Sequence, residues 1–131
     1  TEWLRLLDIL DKLKDQKTHI VLLSHCQVRQ FKNPMGDDFD QYKSNVHHKT
    51  WAETHKWSDS ALFLTFLTDV KESDSGRKKG VGGTTRMMYT EHRDAFDAKN
   101  RYGMPEVIQM PDNPADMWPT LDHYMQAKPI A

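Results

Sequence analysis

Lys99, Asn100 and Arg101 form the stretch of this chain whose residue types and spacing best suit chemistry. In an extended segment alternate residues share a face, so the two cations would be presented together, a two-pronged contact for a phosphate group. A solvated basic turn fits the same spacing. A second group is His25, Cys26 and Gln27, which follows the apolar run Ile20, Val21, Leu22 and Leu23. If that run is a strand, His25 and Gln27 emerge at its carboxyl end, where open α/β sheets bind ligands. A polar side chain there can touch a phosphate or a water and pass the change into the loop beyond. A strand-capping histidine beside an exposed glutamine is the plainer reading of the same residues.

Other chemistries find less support. Cys26 and His25 are adjacent, and neighbours on a strand point to opposite faces, so they do not pair as nucleophile and base. His47, His48 and His55 are scattered, and one cysteine with such histidines lacks the close ligand pairs of a structural zinc site; no metal is expected. A P-loop requires Gly-x-x-x-x-Gly-Lys followed by Ser or Thr, because backbone amides and one lysine must converge on the phosphates. Residues 76–85 are glycine-rich, yet no glycine in the chain is followed by lysine. That stretch therefore reads as a loop. Residues 64–69 look like an apolar strand ending in a magnesium-binding aspartate, but without a P-loop Asp69 reads as a solvated strand end.

The elements that must position these residues follow from periodicity. Trp3, Leu6, Leu7, Leu10 and Leu13 recur at helical spacing, with Asp8, Asp11, Lys12 and Lys14 on the other face. This predicts an amphipathic helix over residues 2–15. Residues 20–23 and 61–67 read as strands buried on both faces, as in a parallel sheet covered by helices. Residues 28–49 show no sustained period and read as a long loop, of the kind that is usually functional or mobile. A short helix is predicted over residues 50–57. A flexible basic loop or hairpin connection follows over residues 71–85, and strands over 86–90 and 95–98. Pro105, Pro111, Pro114 and Pro119 break the pattern after that, with a last short helix near residues 121–126.

Composition bounds the answer. With 131 residues the chain suffices for one domain of ordinary size, and a net charge of −1 gives no global field toward nucleic acid or membrane. Any polyanion contact must come from a local patch. The longest apolar run is too short to span a bilayer, so no membrane partner is expected. The single cysteine excludes an internal disulfide and suits a reducing, cytoplasmic setting.

The order His25-Cys26-Gln27, then a long loop, then Lys56-Trp57-Ser58-Asp59-Ser60-Ala61-Leu62-Phe63 resembles phage and prophage nucleotide-binding proteins of the RecA-like class. These are AAA-type ATPases implicated in single-strand annealing or recombination. Residues 86–93 followed by Asp97-Ala98-Lys99-Asn100-Arg101-Tyr102-Gly103-Met104-Pro105 are similar to that family's C-terminal segment. The Lys-x-Arg-x-Gly core also resembles hexameric replicative helicases. The resemblance implies an α/β fold, part of a RecA-like P-loop NTPase sheet with flanking helices and long loops. Residues 1–110 would be the C-terminal half of the ATPase core, and residues 111–131 a Pro-rich tail with a short helix.

The resemblance also implies roles. Gln27 with His25 would match a sensor position, and residues 28–47 a loop facing single-stranded DNA. Lys99 and Arg101 would match cationic fingers reaching the γ-phosphate held by a neighbouring subunit, in a homo-oligomeric ring or filament. The P-loop, the magnesium-binding aspartate and the attacking-water glutamate would lie upstream of Thr1. ATP and magnesium are then expected in the complete protein and not on this piece, which would not hydrolyse ATP alone. The setting would be cytoplasmic, in the host cell if the protein is phage-encoded. A different reading is a stand-alone single-stranded nucleic-acid-binding module. It would use Arg29, Lys32, Lys43, Lys49 and residues 77–79, with Phe31, Phe39 and Tyr42 for base stacking. Asp37, Asp38 and Asp40 in the same loop argue against tight binding.

Overall fold

The computed structural model describes residues 1–72 and 78–126; the side chains of residues 68–84 lie outside that description. Of the basic loop or hairpin connection expected over residues 71–85, residues 73–77, Arg77 among them, lie outside it, while residues 71–72 and 78–85 belong to two paired antiparallel strands; the side chains of Lys78, Lys79 and Asp69 also lie outside it. The chain divides into two compact units, one of residues 1–58 with 94–97, the other of residues 59–93 with 98 onward.

In the first unit, helix α1 (Glu2–Asp15) follows the predicted period. Thr1 caps it, its hydroxyl accepting from Leu4 N at 3.3 Å, with Glu2 in the first turn and Lys12 and Lys14 in the last. Lys17, at φ 62°, takes the left-handed conformation just past its end, and Thr18 N donates to Leu13 O. Strands β1 (Cys26–Phe31) and β2 (Phe39–Ser44) pair antiparallel from Cys26 with Ser44 to Phe31 with Phe39. Helix α2 (His48–Trp57) completes the unit. Trp3 Nε1 donates to Thr54 Oγ1 at 2.8 Å, and Trp57 Nε1 to Asp11 Oδ1 at 2.7 Å, so two indoles tie α1 to α2.

In the second unit, β3 (Ser60–Ala61) pairs with β6 (Lys99–Asn100), and β4 (Phe63–Glu72), β5 (Lys78–Tyr89) and β7 (Val107–Gln109) form an antiparallel three-stranded sheet. Helix α3 (Met117–Gln126) follows a 3-10 turn at Pro114–Asp116. The core is built on Met88, Met104, Ile108 and Met110, against which Leu62, Tyr102 and Leu121 pack.

The fold is thus mixed α/β, with three helices and small antiparallel sheets among the described residues. Four expectations require correction. Residues 20–23 form no strand, and Leu23 is 93% exposed. An apolar run becomes a strand only when its backbone finds an edge to pair with, and here none of these four residues makes a backbone hydrogen bond among the described residues. Residues 28–49 are not a structureless loop but most of a hairpin and the start of α2. Residues 61–67 are divided between β3 and β4, with Leu64 and Phe66 about half exposed, so that strand is not buried on both faces. The strand expected over residues 95–98 reduces to one parallel bridge between Phe96 and Tyr42. The helices expected over residues 2–15, 50–57 and 121–126 are present, the last two starting earlier as α2 and α3.

Candidate functional site

The turn after β6 is organised by one side chain. Asn100 Oδ1 accepts from Tyr102 N at 3.1 Å and Met104 N at 3.2 Å, while its Nδ2 donates to Met104 O at 2.8 Å. Short amide side chains commonly stabilise turns in this way, standing in for a backbone partner. Gly103 takes φ 68°, where a Cβ would be strained, which completes the reversal. Beneath the turn lies Thr90, fully buried, whose hydroxyl donates to Pro105 O at 2.7 Å and whose amide donates to Glu106 O at 3.0 Å. Asn100 is therefore committed inward, and the residues on either side of it carry the cations.

Opposite this turn stands an acid. The register of β3 with β6 pairs Ser60 with Asn100 and Ala61 with Lys99, so the next step outward sets Asp59 against Arg101. Arg101 Nη1 donates to Asp59 Oδ1 at 3.3 Å, with the two side chains 55% and 40% exposed. Arg101 makes no other hydrogen bond among the described residues, which leaves Nη2 and Nε open to a further acceptor. The Tyr102 hydroxyl donates to the same Asp59 carboxylate. Burial lowers the pKa of Lys99 below the ordinary lysine value, the Arg101 charge lowers it further, and Asp59 opposes both. For Tyr102, burial raises the phenol pKa, the charge and hydrogen bond of Asp59 raise it again, and Arg101 opposes. Lys99, Arg101, Tyr102 and Asp59 thus share one electrostatic neighbourhood.

The sequence-predicted residues divide between the units. Lys99 and Arg101 are brought together in the second. His25, Gln27, Arg29, Lys32, Lys43 and Lys49 all belong to the first. His25 is exposed, immediately before β1, and its carbonyl accepts from Asn45 N at 2.7 Å. Gln27 is half-buried in β1, and the amide orientation that satisfies it aims its oxygen at Arg29, 3.2 Å from Nε and from Nη2. Cross-strand partners share a face, so the register of the hairpin puts Gln27, Arg29 and Phe31 on one side with Lys43, Gln41 and Phe39. The Phe31 and Phe39 rings are 5.1 Å apart. Asp40 and Tyr42 occupy the opposite face, and Asp38 is engaged by Asn33 N at 2.9 Å. Lys32 lies just past β1, and Lys49 in the first turn of α2; both are exposed.

A groove of about 420 Å³ runs between α1 and α2, lined by Leu4, Leu7, Asp8, Glu53, Lys56 and Trp57, and it holds none of these candidates. The model of a known family, described as an AAA domain, matches residues 1–102. The chain belongs to the AAA domain family. No curated protein and no solved structure matches it. AAA domains are P-loop NTPases that typically bind ATP with magnesium. The residues of this AAA domain do not fit the whole of that ligand. The sequence lacks the Gly-Lys cradle, and among the described residues no three acids, histidines or cysteines are grouped to hold a metal. No helix among the described residues is long and apolar enough to cross a membrane. The sequence reading missed Asp59 and Tyr102, because their roles depend on the pairing of β3 with β6, forty residues apart in the chain by the Ser60–Asn100 register.

Proposed function

We propose that this AAA domain chain supplies Lys99 and Arg101 in trans to a nucleotide held by another subunit of a ring or filament. The assembly would act on single-stranded DNA in phage recombination or replication, as part of a RecA-like ATPase. The observation that carries the reading is Arg101. It follows the turn-building residue Asn100, and its guanidinium is tied at one nitrogen only, so the remaining donors can meet a phosphate in the forked geometry that arginine favours. A cation so placed stabilises charge on the transferring phosphoryl group, an effect of ~10³–10⁵ in rate where arginine fingers act. His25 and Gln27 would report the nucleotide state to the hairpin as the sensor. ATP and magnesium would be bound by the subunit that carries the P-loop. In an assembly reconstituted with that subunit, Arg101→Ala should abolish DNA-stimulated hydrolysis and leave ATP binding nearly intact. Turnover at the unsubstituted rate would overturn the assignment.

A second reading has an observation of its own. Arg29 and Lys43 share a hairpin face with the Phe31–Phe39 pair, two cations beside aromatic rings, while Asp40 faces away. That is the arrangement of a single-strand platform, in which cations follow the backbone and rings stack on bases. The hairpin would serve either the assembly or a stand-alone binding module. Salt-dependent binding of a labelled oligonucleotide by this chain alone separates the two, since only the module requires no other subunit.

A further inference from the structure

The carboxylate of Asp59, beside the candidate fingers, is an unexpected neighbour for a phosphate site. Asp59 Oδ1 accepts from Arg101 Nη1 at 3.3 Å, and the Asp59 carboxylate also accepts from the Tyr102 hydroxyl and lies within electrostatic reach of Lys99. A phosphate approaching Lys99 and Arg101 meets this like charge at close range, and it must share or displace the carboxylate to use the whole guanidinium. The pair is open to water, with Arg101 55% and Asp59 40% exposed, so the exchange is sterically free and its free-energy cost modest.

We propose that Asp59 is a built-in competitor at the Lys99–Arg101 site, occupying one corner of the guanidinium and repelling free phosphate compounds. Only a phosphate presented at the high local concentration of a docked subunit then displaces it. This rests on the reading that Lys99 and Arg101 contact phosphate. The physical logic is one of thresholds. An exposed ion pair weakens a competing ligand by a small factor, which matters for a dilute phosphate compound in solution. The same factor is overcome when docking raises the effective concentration to the millimolar range. Tyr102 helps keep the competitor in place, because its hydroxyl also hydrogen-bonds the Asp59 carboxylate.

The test is a titration of pyrophosphate into the full chain, followed by the amide resonances of residues 99–102. Five proteins are compared: the unsubstituted chain, Asp59→Asn, Asp59→Ala, Arg101→Ala, and Asp59→Asn combined with Arg101→Ala. Unchanged spectra for residues far from the turn show that each variant is folded. Asp59→Asn and Asp59→Ala should each bind pyrophosphate about fivefold more tightly than the unsubstituted chain. The combined variant should lose that gain. If neither Asp59 variant binds more tightly while Arg101→Ala still weakens binding, the competitor is overturned and the phosphate site stands. If Arg101→Ala weakens binding in neither background, the phosphate site itself fails and the competitor fails with it.

Discussion

Arg101 Nη1 lies 3.3 Å from Asp59 Oδ1, a contact between residues 42 positions apart that only the antiparallel pairing of β3 with β6 makes possible. The short strands do little to build a core. Their consequence is electrostatic, because they bring one carboxylate up to two cations and a phenol that the turn after Asn100 holds together.

That neighbourhood contributes two opposing effects to the alkaline behaviour of the second unit. Tyr102 has a raised pKa, so the fold retains the phenol proton above the ordinary value of 10.0. The stability this contributes is present below 10.0 and is lost as pH rises through the folded-state pKa. Lys99 works in the opposite sense. Its pKa is lowered from 10.5, so the fold disfavours its charge, and that penalty is relieved as pH rises toward 10.5. Melting temperature measured against pH should therefore fall less at alkaline pH in Tyr102→Phe and fall more in Lys99→Met than in the unsubstituted chain. Phenol titration should show the Tyr102 pKa moving down in Asp59→Asn and up in Arg101→Ala.

Asn100 should matter more for stability than for charge. Asn100→Ala leaves the amides of Tyr102 and Met104 and the carbonyl of Met104 without their side-chain partner. Partly buried backbone groups left this way cost about 1–3 kcal/mol each when water cannot reach them, so a loss of about 2 kcal/mol in urea unfolding is expected. Asn100→Asp keeps the two acceptor contacts and should recover part of it. Equal losses from the two substitutions would mean that the acceptor contacts contribute nothing.

Lys17 invites a substitution in the other direction. At φ 62° it occupies a conformation in which a Cβ is strained, at the position past α1 where glycine is the common choice. Lys17→Gly should raise the unfolding free energy by about 0.5–1 kcal/mol, read from the urea midpoint at constant slope.

What the sequence revealed, and what it hid, divides along a physical line. Helix α1 was legible because its apolar period and its charged opposite face are both local. Lys99 and Arg101 were legible as close cations, but the strand ends at Asn100 and Arg101 lies in the bend beyond it, so the extended spacing read from the sequence is only partly realised. The hairpin was hidden by its polar strands: Gln27, Arg29 and Gln30 do not read as strand formers, and only the Asn33–Pro34–Gly36 break hinted at a reversal. Residues 20–23 misled in the opposite way, because four strand-forming side chains say nothing about whether a backbone edge is available. Asp59 was visible as a residue but not as a partner, because strand pairing at long range leaves no mark on either segment.

The exposed run makes a direct kinetic prediction. The amides of Ile20, Val21, Leu22 and Leu23 donate to no backbone acceptor among the described residues, whereas those of β1 and β2 are laddered together. Hydrogen exchange at Val21, Leu22 and Leu23 should run near the unprotected rate, with protection beginning in β1. Strong protection of Leu22 and Leu23 would show that they pair with an edge in solution.

The hairpin face gives the sharpest test of nucleic-acid binding, because its two sides differ in charge. Arg29 and Lys43 lie on the side of the Phe31–Phe39 pair, and Asp40 on the other. Each phosphate contact on a single strand contributes a salt slope of about −0.7, so Arg29→Ala with Lys43→Ala should reduce the slope of log affinity against log salt by about 1.4. The control is Asp40→Asn, which changes charge by one unit on the far face and should leave the slope unchanged. A comparable change in slope from both would mean that overall charge, and not this face, governs binding. An unaltered slope in the double variant would remove the hairpin from the interface altogether.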